Sequence, residues 1–98
     1  MTEITLAICM YNAERYIEET LAAIMAQTMQ EFHLLIVDDC STDESAECVR
    51  RFFAANPRQY ELAALAENGG ICAARKFAEQ HAETKYLIFV DADDLPYP

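Results

Sequence analysis

The sequence predicts an α/β fold built on a parallel sheet of four strands. Two observations carry this. Short apolar runs alternate with three segments of helical period, and the Asp-, Asn- and Gly-bearing stretches fall just after the apolar runs. An order βαβαβαβ places a helical crossover between successive strands, which makes neighbouring strands parallel.

Ile4 to Met10 is a β-rich run that predicts the first strand. Ala13 to Thr28 carries Ile17, Leu21, Ile24 and Met25 at helical spacing, with Asn12 placed to cap its start. His33 to Asp38 is a continuous apolar strand of the kind buried on both faces. Ser41 and Glu44 stand three apart as in a capping box, and the helix they open runs to about Asn56, stopped by Pro57. Tyr60 to Leu65 is a weaker strand. Asn68-Gly69-Gly70 breaks the pattern before an alanine-rich helix from Ile71 to His81, where Ala73, Ala74 and Ala78 permit close approach to a sheet. Tyr86 to Asp91 predicts the fourth strand.

With 98 residues the chain is one domain with a modest core. It is 53% hydrophobic, so it is globular rather than disordered, and it lacks the run of about 20 apolar residues that spans a membrane. A net charge of −10 with seven scattered basic residues argues against a nucleic-acid partner. Met1-Thr2-Glu3 opens into strand-like sequence without a leader pattern, so a cytoplasmic location is expected. Cys9, Cys40, Cys48 and Cys72 form no C-x-x-C pair and are expected to be reduced packing residues. His33 and His81 are expected to be structural.

In open parallel sheets, ligands bind beyond the carboxyl ends of the strands. Tyr11-Asn12, Asp38-Asp39 with Ser41 and Asp43, Asn68-Gly69-Gly70, and Asp91 to Asp94 all lie there. Like charges about 5 Å apart repel by roughly 3 kcal/mol at an effective dielectric near 20, so the acidic run Asp91-Ala92-Asp93-Asp94 suits a hard divalent cation, Mn²⁺ or Mg²⁺, bridging to phosphate. A solvated acidic turn is the other reading. Asp38 or Asp39 can accept from a base or a sugar hydroxyl, while capping of the next helix by Asp39 or Ser41 is compatible with that. Asn68-Gly69-Gly70 offers unobstructed N–H groups for phosphate at a helix start, or is a simple turn. Arg75 can reach back to a nucleotide, or sits solvated with Lys76. Neither a G-x-G-x-x-G after the first strand nor a P-loop is present.

Taken in order, Ile8 to Asn12, Gln27-Thr28, Ile36 to Asp43, Asn68 to Arg75 and Phe89 to Asp94 resemble glycosyltransferase family 2 over essentially the whole chain. The resemblance implies the nucleotide-binding half of a GT-A fold, a Rossmann-like three-layer α/β/α arrangement with strand order 3-2-1-4. It implies transfer of a sugar from a nucleotide-diphosphate donor, most often UDP-linked, with Mn²⁺ or Mg²⁺ as cofactor. Met10, Tyr11, Asn12, Asp38, Asp39, Asn68, Gly69, Gly70, Arg75, Asp91 and Asp93 are the implied nucleotide contacts, and Asp93 and Asp94 the implied metal ligands. Met10 stands where the family often has Pro, Cys40 where it often has Gly, and Lys76 where it often has Asn.

Family members continue past the acidic run into an acceptor-binding half with the catalytic base. This chain is therefore expected to hold no catalytic residue and to transfer little sugar alone, while the longer enzyme is expected at the inner face of a membrane. An apolar fourth strand at a sheet edge is also expected to favour a homodimer. Two other classes compete. A phosphoacceptor receiver domain shares the Leu35 to Asp39 and Phe89 to Asp91 patterns but leaves the first 32 residues unassigned. A silent interaction module would keep the fold alone.

Overall fold

A computed structural model describes residues 3–27 and 31–91. The strands are β1 (Ile4–Met10), β2 (His33–Asp38), β3 (Glu61–Ala64) and β4 (Tyr86–Asp91); the helices are α1 (Ile17–Met25), α2 (Ser45–Ala55) and α3 (Gly70–His81). All three pairings are parallel and the order is β3-β2-β1-β4, as expected.

Burial explains which strands lie in the middle. Leu34, Leu35, Ile36 and Val37 of β2 are all fully buried, because both faces of this strand are covered. Ile8 and Met10 of β1 and Leu34 and Ile36 of β2 pack with Ile17, Leu21 and Ile24 of α1 and Val49 and Phe53 of α2. On the other face, Ala7, Leu35 and Val37 meet Ala74 and Ala78 of α3. The small side chains on both sides let α3 lie close to the sheet. Three layers result, with α1 and α2 on one face and α3 on the other.

The helix starts differ from expectation. Asn12 does not cap α1, since it takes φ +51° and its side chain turns toward the next loop; a turn over 13–16 intervenes, with the N–H of Ile17 donating to Ala13 O at 2.8 Å. Nor does Ser41 form a capping box with Glu44. Ser41 is bonded back to Asp38, and Asp43 instead accepts the Ser45 N–H at 2.9 Å as α2 begins. Thr28 of the expected first helix lies outside the described residues.

β4 is an edge strand among the described residues, with Tyr86 and Ile88 exposed, which is the placement the homodimer expectation required. Nothing described bears on pairing between copies. The four cysteines are free thiols, with Cys48 in the core. No described helix is long and apolar enough to cross a membrane.

At the rim where the strands begin, Glu61 joins three elements. His33 Nε2 of β2 lies 3.2 Å from Glu61 Oε1, and His81 Nε2 at the end of α3 hydrogen-bonds Oε2. Burial pushes the Glu61 carboxyl up, but the two imidazoles outweigh it and hold the group below its ordinary value of 4.5. A depressed carboxylate contributes stability that is present above the unfolded-state value and is lost as pH falls through the folded-state value. Since these side chains are about 40% exposed, Glu61→Gln is expected to cost about 1 kcal/mol or less at neutral pH. Urea unfolding should show that deficit shrinking as the pH is lowered below the unfolded-state value of about 4.5; a deficit constant with pH there would contradict the assignment.

Candidate functional site

The loops that leave β1, β2 and β3 meet at the opposite rim. β1 ends on Met10, which is 2% exposed and packs in the core, and the next residue, Tyr11, is 47% exposed. Asn12 then reverses the chain in the left-handed region, so Ala13 returns to the core. Tyr11 is left standing on a turn whose two flanks are buried.

That turn is bound to the β2–α2 loop through backbone and side chain alike. The N–H groups of Asn12, Ala13 and Glu14 donate to Ser41 Oγ at 3.0 Å, Ser45 Oγ at 2.7 Å and Asp43 Oδ2 at 3.2 Å. In return, Asn12 Oδ1 accepts the Thr42 N–H at 2.8 Å. Two aspartates hold the receiving hydroxyls. Asp38 Oδ1 accepts the N–H and hydroxyl of Ser41 at 3.1 and 2.5 Å, and Asp43 Oδ1 accepts those of Ser45 at 2.9 and 2.5 Å. Burial raises the Asp43 carboxyl, but the Ser45 and Glu14 donors prevail and hold it below the usual aspartate range.

Asp39 reaches the other way. Its N–H donates to Met10 O at 2.9 Å, and its carboxylate, in a residue 3% exposed, accepts the N–H of Gly69 on Oδ1 and of Gly70 on Oδ2, each at 2.9 Å. Asn68 Oδ1 is a second acceptor for Gly70 at 3.2 Å. Both glycines are sterically required. A Cβ on Gly69 would stand 2.6 Å from that of Ala73, and Gly70 has φ +84°. Cys40, at φ +58°, sends its thiol to Ala66 O at 3.6 Å, a further tie to the third loop.

The structure thus brings Tyr11, Asn12, Asp38, Asp39, Asn68, Gly69 and Gly70 to one rim. Three of them stand differently from expectation. Asp38 is 4% exposed and its Oδ1 is committed to Ser41, while the Gly69 and Gly70 N–H groups expected to face phosphate point at Asp39. Arg75 is exposed on α3 with its guanidinium 5.1 Å from the Phe89 ring of β4. Asp91 ends β4 beside Cys9 of β1, at this same rim; Asp93 and Asp94 lie outside the described residues. Sequence reasoning missed Ser45, which is fully buried and anchors the first loop. Its signal was the Asp43-Glu44-Ser45 run, where an aspartate can accept from the residue two ahead.

The model of "Glycosyl transferase family 2" matches residues 5–98. The chain belongs to this family. The match includes residues 5–32, which a receiver domain leaves unassigned. A relative from Staphylococcus epidermidis, the teichoic acid poly(glycerol phosphate) polymerase, is 38% identical over 94 residues, which cover 96% of this chain and 13% of that protein. The crystal structure of Staphylococcus aureus TarS 1-349 in complex with UDP-GlcNAc superposes with TM-score 0.82 at 33% identity, covering 95% of this chain and 27% of that one. The mannosyltransferase PcManGT from Pyrobaculum calidifontis, in complex with GDP-Man and Mn²⁺, superposes with TM-score 0.88 at 30% identity, covering 95% and 28%. The fold is the GT-A fold of these neighbours, and the chain spans about a quarter of their length.

Two positive-φ residues make the loop geometry testable. Asn12→Ala loses the Thr42 bond and puts a Cβ-bearing residue without a local polar partner in the left-handed region, at a cost of about 1–2 kcal/mol. Asn12→Gly loses the bond but not the conformation, so it should cost less; equal costs in urea unfolding would refute this division. Cys40→Gly should be the opposite case, gaining about 0.5–1 kcal/mol as backbone strain is relieved, and a clear loss of stability would count against it.

Proposed function

We infer that this rim is the donor site of a glycosyltransferase, taking a nucleoside-diphosphate sugar, with UDP the expected carrier, for transfer to an acceptor hydroxyl in the longer enzyme. The observation that supports it most is the exposed Tyr11 ring held on a turn that hydrogen bonds of Asn12, Ala13 and Glu14 fasten to the β2–α2 loop and the first residue of α2. A rigid aromatic face at the carboxyl ends of parallel strands is a platform on which a base stacks without first ordering the loop. The UDP-GlcNAc and GDP-Man complexes of the two structural neighbours lend further support.

In this reading Tyr11 and Asn12 line the nucleoside pocket, and Asp39 shapes it from below. Arg75, on the helix that starts at this rim, faces the diphosphate. Asp91 brings the chain out of β4 toward the phosphates, and Asp93 and Asp94 hold Mn²⁺ or Mg²⁺. The donor set fits such an ion by its chemistry, since carboxylates close together in the sequence are hard oxygen ligands, and Asp91, the first of the run, ends β4 paired with Cys9 of β1. The bound ion would offset negative charge on the leaving diphosphate. Asp38 and Asp43 act within the protein, holding the hydroxyls that hold the first loop. The catalytic base is assigned to sequence outside this chain.

Calorimetry with UDP, GDP and dTDP, with and without Mn²⁺, tests this directly. UDP should give a heat that requires the metal, and Asp93→Ala or Asp94→Ala should weaken binding by about tenfold or more, the equivalent of losing one charge-assisted contact. Binding of UDP that is indifferent to both metal and aspartates would overturn the metal assignment, and no binding of any nucleotide would overturn the donor site.

A further inference from the structure

We propose that Asp39 is a positioning residue. It clamps the start of α3 to the end of β2, and so sets where Arg75 stands at the rim. This rests on the donor-site reading above and gives Asp39 a task within the protein beside the contact with the base that the family resemblance implies.

Three features carry it. First, Asp39 is itself fixed. Its N–H is bonded to Met10 O, and the neighbouring Asp38 O accepts the Leu65 N–H at 2.8 Å, so its backbone is tied to the ends of β1 and β3. Second, both carboxylate oxygens are engaged, one on Gly69 N–H and one on Gly70 N–H, within a residue 3% exposed. A carboxylate that bridges two successive amides reads their direction as well as their distance. Third, α3 has no acidic residue of its own in its first turn, whereas α1 has Glu18 and Glu19 and α2 has Glu47. The negative charge that a helix start favours therefore comes to α3 from 30 residues earlier in the chain. Gly69 makes no capping bond with a side chain, because it has none; Asp39 supplies the missing acceptor.

The consequence passes along the helix. Arg75 follows Gly70 by little more than one turn, and its guanidinium lies 5.1 Å from the ring of Phe89, two residues before β4 ends at the rim. Helix α3 packs on the sheet there through Ala74 and Ala78 with Phe77 beside them, and the small alanine contacts leave its position along the strands to be set largely at its ends. The clamp fixes that coordinate.

Two measurements on the 98-residue chain test this. In the isotope-labelled, ligand-free parent, scalar couplings across hydrogen bonds should link the Gly69 and Gly70 amide nitrogens to the Asp39 carboxylate carbon. Their absence overturns the clamp and requires no variant to fold. The second is a double-mutant cycle read by UDP affinity in Mn²⁺. Asp39→Asn places a donor against a donor and should lose about tenfold, as should Arg75→Ala, while the double variant should lose hardly more than either single. Losses that multiply, or an Arg75→Ala variant that binds like the parent, overturn action through Arg75. A parent that binds no nucleotide sinks the donor-site reading, and with it the role for Arg75, while the couplings separately decide the clamp.

Discussion

Where parallel strands end, the backbone amides of the connecting loops lose their ladder partners, and a buried amide without an acceptor is costly. At this rim the acceptors come from side chains. Asp38, Asp39 and Asp43 each engage two or three donors, directly or through Ser41 and Ser45, and the loops after β1, β2 and β3 are thereby bound into one unit. Rigidity at the rim follows from that satisfaction. A net hydrogen bond contributes only about 1 kcal/mol, but the bonds here share partners, so a loop cannot move without breaking several together.

Helix α3 shows how the same logic spans the whole sheet. Its first amides are held by Asp39 from β2, and its last residue, His81, is held by Glu61 from β3. Between these ends Ala74 and Ala78 lie on the small and branched residues of β1 and β2, with Phe77, Leu87 and Phe89 packed around them. Dispersion across the alanine contacts gives closeness more than register. The two carboxylates give register, one at each rim, so the site rim and the far rim are connected by a single short helix.

Much of this was legible in the sequence. β1, β2 and β4 have the expected bounds because each is a mostly apolar run with a polar residue at or soon after its end, and the order of strands followed once the resemblance was seen. Helix starts were misread for one reason. Asn12 and Ser41 are residue types that cap helices, but here their side chains serve a neighbouring loop, about 30 positions away in the chain. Local spacing carries no trace of such a bond. The same holds for Asp39, whose place in the motif was visible while its partners were not, and for Cys40, where a departure from glycine became meaningful only with its positive φ.

On the donor-site reading, electrostatics decides which groups at this rim are left for an anionic ligand. A chain of net charge −10 repels a diphosphate, and the usual remedy in such folds, the positive end of a helix, is already spent. The N–H groups of Gly69 and Gly70 face the Asp39 carboxylate, which cancels much of the local field that phosphate would have felt. Attraction must come from elsewhere. Arg75 brings one positive charge, and a divalent ion on the carboxylates after β4 would bring two, close to where the phosphates sit. On the donor-site reading, metal dependence is therefore a consequence of how the loops are fastened: the carboxylate that orders α3 removes the helix start as an anion site, and the acidic run restores the lost attraction only when it carries a cation.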